Sequence, residues 1–111
     1  MHYLKGSIFE TYVISELLKS KFNSGSGSEL FFWKDSNGNE IDCIISNGTE
    51  LKAIEIKAGE TIKSDFYQTL YLWNELDTKK NKSLNLVYGG NENQKRESVK
   101  VYSWNDCTKV F

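Results

Sequence analysis

The stretch EIDCIISNGTELKAIEIKAG, residues 40–59, decides the fold. Polar and apolar residues alternate along 40–46 and again along 51–59, which is the period of a half-buried strand. Asn47-Gly48 between them is a two-residue hairpin signal. That loop sets Ser46 opposite Thr49, Asp42 opposite Ala53 and Glu40 opposite Glu55. In the first of these strands Glu40, Asp42 and Ile44 share one face, and Ile41, Cys43 and Ile45 share the other. In the second, Leu51, Ala53, Glu55 and Lys57 share a face. Asp42 is then a diagonal neighbour of Glu55, close enough for the two side chains to share a ligand. A one-residue slip would reverse every face, so Asp42 and Glu55 meet only in this register.

Working outward, residues 7–21 carry helical periodicity. Phe9, Val13, Ile14, Leu17 and Leu18 form an apolar arc with Ser15, Glu16 and Lys19 opposite. NSGSGS, residues 23–28, is a flexible loop. LFFWKD, residues 30–35, reads as a strand and SNGN, 36–39, as a turn. After the hairpin, Ser64 is positioned to cap a helix over 65–78, with Phe66, Leu70, Trp73 and Leu76 facing the core. LNLVYGG, residues 84–90, is apolar enough to be buried on both faces. Residues 89–98 read as a polar loop and VKVYSW, 99–104, as a last strand. The order α-β-β-β-α-β-β is an antiparallel meander followed by a helical crossover. It predicts an α/β fold with a mixed central sheet flanked by helices.

At 111 residues the chain makes a single domain, 1–111, with one core. Its six Phe, six Tyr and three Trp supply much of that core. A net charge of −1 gives no global signature of a nucleic-acid binder. The basic clusters are Lys79, Lys80 and Lys82, and Lys95 with Arg96. They read as solvated ends and loops, with phosphate contact as a secondary role. Cys43 and Cys107 lack metal-ligand spacing and read as reduced thiols of a cytoplasmic protein. With His2 as the sole histidine, a His-rich zinc site or a Ser-His-Asp triad is disfavoured. No apolar run approaches the roughly 20 residues of a membrane span.

The acids are the informative residues. Glu10 falls in the middle of the first helix's apolar arc, beside Ile14 and Leu17, where a carboxylate is costly unless something receives it. If that helix covers the Asp42/Glu55 face, three carboxylates converge with the Lys57 ammonium. One lysine cannot neutralise three acids, but Mg²⁺ or Mn²⁺ with hard oxygen ligands can. Such a centre suits hydrolysis of a phosphodiester, with the lysine stabilising charge that develops on the phosphate. Each residue also has a plainer reading. Glu55 and Lys57 can be a surface ion pair, and Asp42 a surface acid near a turn. Ser7-x-x-Glu10 fits a capping box. Glu40 reads first as a salt-bridge residue of the hairpin. Phe31 and Trp33 read as core aromatics before they read as base-stacking residues.

Asp42, twelve intervening residues, then Glu55-Ile56-Lys57 resembles the D-x(n)-(D/E)-x-K signature of the PD-(D/E)XK nuclease superfamily. The resemblance implies a restriction-endonuclease-like fold with core order α-β-β-β-α-β. It implies Asp42 and Glu55 as metal ligands, the Ile56 carbonyl as a further ligand, Lys57 as the catalytic lysine and Glu10 as the helix acid. Gln68 falls where some members carry a helper Gln or Lys. The proline of the superfamily's name is missing, since Ile41 precedes Asp42. GSIFETYVISELLK (6–19), LFFWKDSNGNEID (30–42) and IEIKAG (54–59) also resemble a C-terminal domain of unknown function that follows an AAA-type ATPase module in bacterial and archaeal proteins. That likeness covers residues 6 to about 90. It implies that the chain is a fragment of a longer ATPase-containing protein, although no Walker-type phosphate loop occurs here. The expected function is a metal-dependent DNA or RNA nuclease. The alternative is an inactive nucleic-acid-binding or protein-docking module of that ATPase. A homodimer is compatible with either.

Overall fold

The computed structural model describes residues 2–25, 27–76 and 81–111, with backbone alone for residues 2–5. Helix α1, His2–Ser24, leads into strands β1, Glu29–Lys34, β2, Glu40–Ser46, and β3, Glu50–Lys57. A 3-10 turn, Ser64–Tyr67, opens helix α2, Gln68–Glu75. Strands β4, Asn81–Tyr88, β5, Gln94–Arg96, and β6, Val99–Ser103, follow, and the 3-10 segment Trp104–Val110 comes last. The six strands form one sheet in the order β1-β2-β3-β4-β6-β5. β1, β2 and β3 are antiparallel, β4 runs parallel to both β3 and β6, and β5 is antiparallel to β6. The fold is thus α/β with a mixed sheet, as the element order implied.

Several local expectations are corrected. α1 begins five residues before Ser7, so Ser7 and Glu10 lie inside the helix and cannot form a capping box. Ser64 caps nothing: the 3-10 turn starts from Lys63 without a side-chain cap, and α2 starts from Tyr67 in the same way. Leu70 and Trp73 are buried as expected, but Leu76 stands 61% exposed past the end of α2. Lys82 closes that end instead. Its Nζ donates to the Trp73 and Asn74 carbonyls at 3.2 and 3.4 Å and sits 4.6 Å from the Trp73 ring centroid. Lys79 and Lys80 lie outside the described residues. The polar loop holds β5, turned onto β6 through Glu97 at φ 54°.

The central hairpin is shifted from its expected register. Asn47 N–H donates to the Glu50 carbonyl at 3.2 Å, and the Glu50 N–H to Asn47 Oδ1 at 2.9 Å. The tip is therefore Gly48-Thr49, with Gly48 at φ 93°, a conformation that favours glycine. The pairs become Cys43↔Ile54 and Ile44↔Ala53. Continuing that register sets Asp42 opposite Glu55, directly rather than diagonally. The slip moves both strands by one residue, so the parity of the faces survives.

β2 also carries a bulge. Phe31 pairs with Ile44 and Trp33 with Ile41, so Asp42 and Cys43 together face the single residue Phe32. The bulge puts Ile41 and Ile44, three residues apart, into the same core layer. Strict alternation had placed them on opposite faces.

The sheet separates two cores. On one side α1 and the Trp104–Val110 segment bring Val13, Leu17, Cys107 and Val110 onto Cys43, Ile45, Ile54, Ile56 and Val87. On the other, α2 and its 3-10 turn bring Tyr67, Leu70 and Trp73 onto Ile41, Ile44, Ala53, Leu84 and Leu86. Val13 and Leu17 are fully buried, and each is worth roughly 1.5–3 kcal/mol over an exposed position. α1 therefore lies on the Ile54/Ile56 face. The Ala53-Glu55-Lys57 row belongs to the α2 face, so the expectation that α1 covers it is overturned.

Candidate active site

The bulge and the shifted register meet at one point. Beyond Cys43↔Ile54 the strands β2 and β3 are linked by side chains. Asp42 Oδ2 accepts the Ile56 N–H at 2.8 Å, and Glu55 Oε1 accepts the Asp42 N–H at 3.4 Å. The two carboxylates thus take over the work of ladder hydrogen bonds at the end of the hairpin. Lys57, next along the same face of β3, places Nζ 3.7 Å from Glu55 Oε2 and 5.5 Å from the Phe66 ring centroid. The ammonium is held between a carboxylate and an aromatic face.

Burial sets the electrostatics. Glu55 is only 5% exposed. Loss of water, and then the neighbouring Asp42 charge, push its carboxyl up to about 8 against the downward pull of Lys57. Asp42 is also pushed up, chiefly by burial, with the Ile56 N–H and Lys57 opposing. The pair therefore holds a proton near neutral pH, and Glu55 is the better host. A buried acid and a half-buried one with a single ammonium beside them have surplus negative potential when ionised.

Glu10 approaches from α1 on the other side of the sheet. It makes no hydrogen bond or ion pair among the described residues. Its carboxyl is raised by partial burial and by Asp42 and Glu40, and lowered by Lys57. It therefore feels the same charges without touching them. Among the described residues, no group of three or more His, Cys, Asp or Glu side chains is gathered to hold a metal ion. The Asp42/Glu55 pair is brought together, with the Ile56 backbone against it, and Glu10 stands at its margin.

Residues 5–107 match the domain of unknown function DUF4143. The chain belongs to the DUF4143 family. A comparison with curated proteins finds no match. In this DUF4143 domain Gln68 opens α2 as an exposed residue and makes no hydrogen bond to Asp42, Glu55 or Lys57. Glu40 pairs with Lys34 at 3.6 Å across the β1–β2 hairpin, its expected role. Trp33 packs against the α2-side core, whereas Phe31 is 45% exposed. Cys43 and Cys107 are both buried free thiols. No helix among the described residues is long and apolar enough to cross a membrane.

Sequence reasoning missed two features of this domain. Phe66 was assigned to the core, yet its ring is also the platform for Lys57. The Gly89 backbone abuts the end of β3, its N–H donating to the Gly59 carbonyl at 3.0 Å. A β-carbon on Gly89 would sit 2.0 Å from the Ala58 carbonyl oxygen. The Gly89-Gly90 pair directly after a buried strand was the available signal for this close approach.

Proposed function

We propose that this DUF4143 domain is a metal-dependent nuclease of the PD-(D/E)XK type, hydrolysing phosphodiester bonds in DNA or RNA. One observation carries the reading: a buried carboxylate, Glu55, and a half-buried one, Asp42, side by side with the Lys57 ammonium at the end of the β2–β3 hairpin. The strand order supports a restriction-endonuclease-like fold, with a helix, a three-stranded meander, a crossover helix and a further parallel strand. The donor set fits a hard divalent cation. Asp42 and Glu55 are oxygen ligands whose joint ionisation lacks sufficient positive charge, and the Ile56 backbone adjoins them. A bound Mg²⁺ or Mn²⁺ would polarise a phosphoryl oxygen and acidify a water. Lys57 supplies fixed positive charge for a phosphate as negative charge grows on it. Phe66 limits the directions in which that ammonium can swing. Glu10, with its raised proton affinity, is suited to accept and return a proton at the edge of the site.

By the same reading the domain is the C-terminal part of a cytoplasmic AAA-type ATPase, with nucleic acid as its partner. The test is cleavage of plasmid and single-stranded substrates with Mg²⁺ and with Mn²⁺. Cleavage is expected for the wild type and absent in Asp42→Ala and Lys57→Ala. Folded wild-type protein that cuts nothing with either metal refutes the reading.

One feature favours a second reading. Asp42 and Glu55 each commit an oxygen to a backbone N–H, which is what structural acids do. An inactive nucleic-acid-binding or protein-docking module would use them only to join two strands. It would bind with a steep salt dependence, indifferent to metal and to Lys57→Ala.

A further inference from the structure

The two edges of the sheet are finished differently. The β5 edge is the short run Gln94-Lys95-Arg96, charged at two of its positions and followed by Glu97 at φ 54°. Short length and charge keep a strand edge from pairing with another chain. The β1 edge, Glu29–Lys34, holds the run Leu30-Phe31-Phe32-Trp33 with charge only at its ends. Among the described residues, β2 is the one strand that pairs with it. Leu30 packs on the α1-side core and Trp33 on the α2-side core. Alternation then sends Phe32 to the α1 face and Phe31 to the α2 face. Phe31 and Phe32 stay 45% and 60% exposed. Together they leave about one whole ring, on the order of 200 Å², in water on each copy.

From this we infer that β1 is an interaction surface for a second copy of this chain, whose own β1 pairs with it antiparallel about a two-fold axis at Phe31. Charge complementarity selects this occupant. Glu29 and Lys34 bracket the apolar run, so antiparallel pairing brings the acidic end of each strand to the basic end of the other. Parallel pairing would set like charge beside like. A two-fold axis perpendicular to the sheet keeps each face continuous, so every residue meets one of its own face. Centred on Phe31, Phe31 meets its counterpart, Leu30 meets Phe32 and Glu29 meets Trp33, with Lys34 next along. Centred on Phe32, Glu29 would meet Asp35, an acid already fixed by the Asn37 and Asn39 amides. The Phe31 register covers exposed rings on both faces and gives the outer backbone groups of β1 protein partners. About 400 Å² of ring is covered across the two copies, to which the strand edges add, so the interface lies at the small end of specific dimers. The two sheets merge into one, with both Lys57 rows on the same face. The inference does not depend on the nuclease reading: a single chain can still cut, and a dimer can be inert.

The experiment is sedimentation equilibrium of the 111-residue chain from dilute to concentrated solution. The average mass should rise with concentration from one chain toward two. Phe32→Lys places an ammonium opposite Leu30, at a position exposed enough to leave the fold intact, and should weaken the dimer at least about tenfold. Glu29→Lys should weaken it about threefold, and adding Lys34→Glu should restore it, because the ends then attract again. Urea unfolding confirms that each variant is folded. Phe31→Cys, at the two-fold axis, should form a disulfide-linked dimer on mild oxidation, and Phe32→Cys should do so more slowly, since it faces Leu30. The native Cys43 and Cys107 are buried and do not compete. A wild type that stays a single chain at every concentration leaves this edge to an extended segment of another protein and overturns the inference. A dimer that Phe32→Lys leaves intact, or oxidation that links position 32 faster than position 31, overturns it as well.

Discussion

Glu55→Gln is the most exposing single substitution in this domain. In the unfolded chain Glu55 ionises near its ordinary 4.5, whereas in the fold it keeps its proton up to about 8. Between those values the unfolded state binds fewer protons than the folded one. Stability is therefore full below pH 4.5 and is lost as pH rises to about 8. At about 1.4 kcal/mol per pH unit, that interval amounts to about 5 kcal/mol. This is a large share of the total stability of a chain this size, which runs to about 5–15 kcal/mol. Glutamine cannot ionise, yet its amide oxygen can still accept the Asp42 N–H now taken by Glu55 Oε1. The variant should lose much less stability than wild type between pH 5 and pH 8, and at pH 8 it should be the more stable protein. Urea unfolding midpoints at half-unit intervals of pH, in EDTA, measure this. On the proposed metal-site reading, Mg²⁺ added at pH 8 should raise the wild-type midpoint and leave the variant unmoved, because a bound cation would take the place of the proton. Parallel profiles for the two proteins, or a wild type that gains stability with rising pH, would show that burial does not control Glu55.

Two other perturbations probe the frame that holds the pair. Gly89→Ala drives a β-carbon to 2.0 Å from the Ala58 carbonyl oxygen, where only backbone movement relieves it. A loss of about 1–3 kcal/mol in urea unfolding is expected, and on the proposed nuclease reading cleavage falls as well, through the displaced end of β3. Lys82→Met keeps the aliphatic stem but removes the donor to the Trp73 and Asn74 carbonyls. About 1 kcal/mol should be lost, with faster amide exchange at the end of α2 and no change in the pH profile.

The parts of this domain that were legible in sequence are those in which local chemistry and tertiary context agree. Strand alternation in 51–57, the apolar arc of Val13 and Leu17, and the doubly buried run of β4 all have one plausible burial. The E-x-K placement followed from alternation alone. The register did not, because Asn47 spends its side chain on the Glu50 N–H and moves the turn by one residue. The bulge at Asp42 was invisible for a related reason. Its extra residue is stabilised by Asp42 reaching the Ile56 N–H, a bond between residues 14 apart. The β5–β6 hairpin has no apolar alternation in Gln94-Lys95-Arg96. It is tied down by Asn93, whose Oδ1 accepts the Ser103 N–H at 2.7 Å and whose Nδ2 donates to Asp106 at 3.0 Å. Whether Glu10 covers the acid pair or only borders it depends on which side of the sheet α1 takes, and periodicity does not carry that information.

The bonds at the end of the β2–β3 hairpin make the two acids into spacers. With Asp42 reaching the Ile56 N–H and Glu55 reaching the Asp42 N–H, the gap between the strands is set by one short side chain and one long one. Exchanging aspartate and glutamate would conserve charge and oxygen count but alter each reach by a methylene. The strands would have to close or part to follow, and Lys57 would travel with β3. At this place acid identity is a matter of length as much as of charge, which gives the order Asp first, Glu second a geometric meaning of its own.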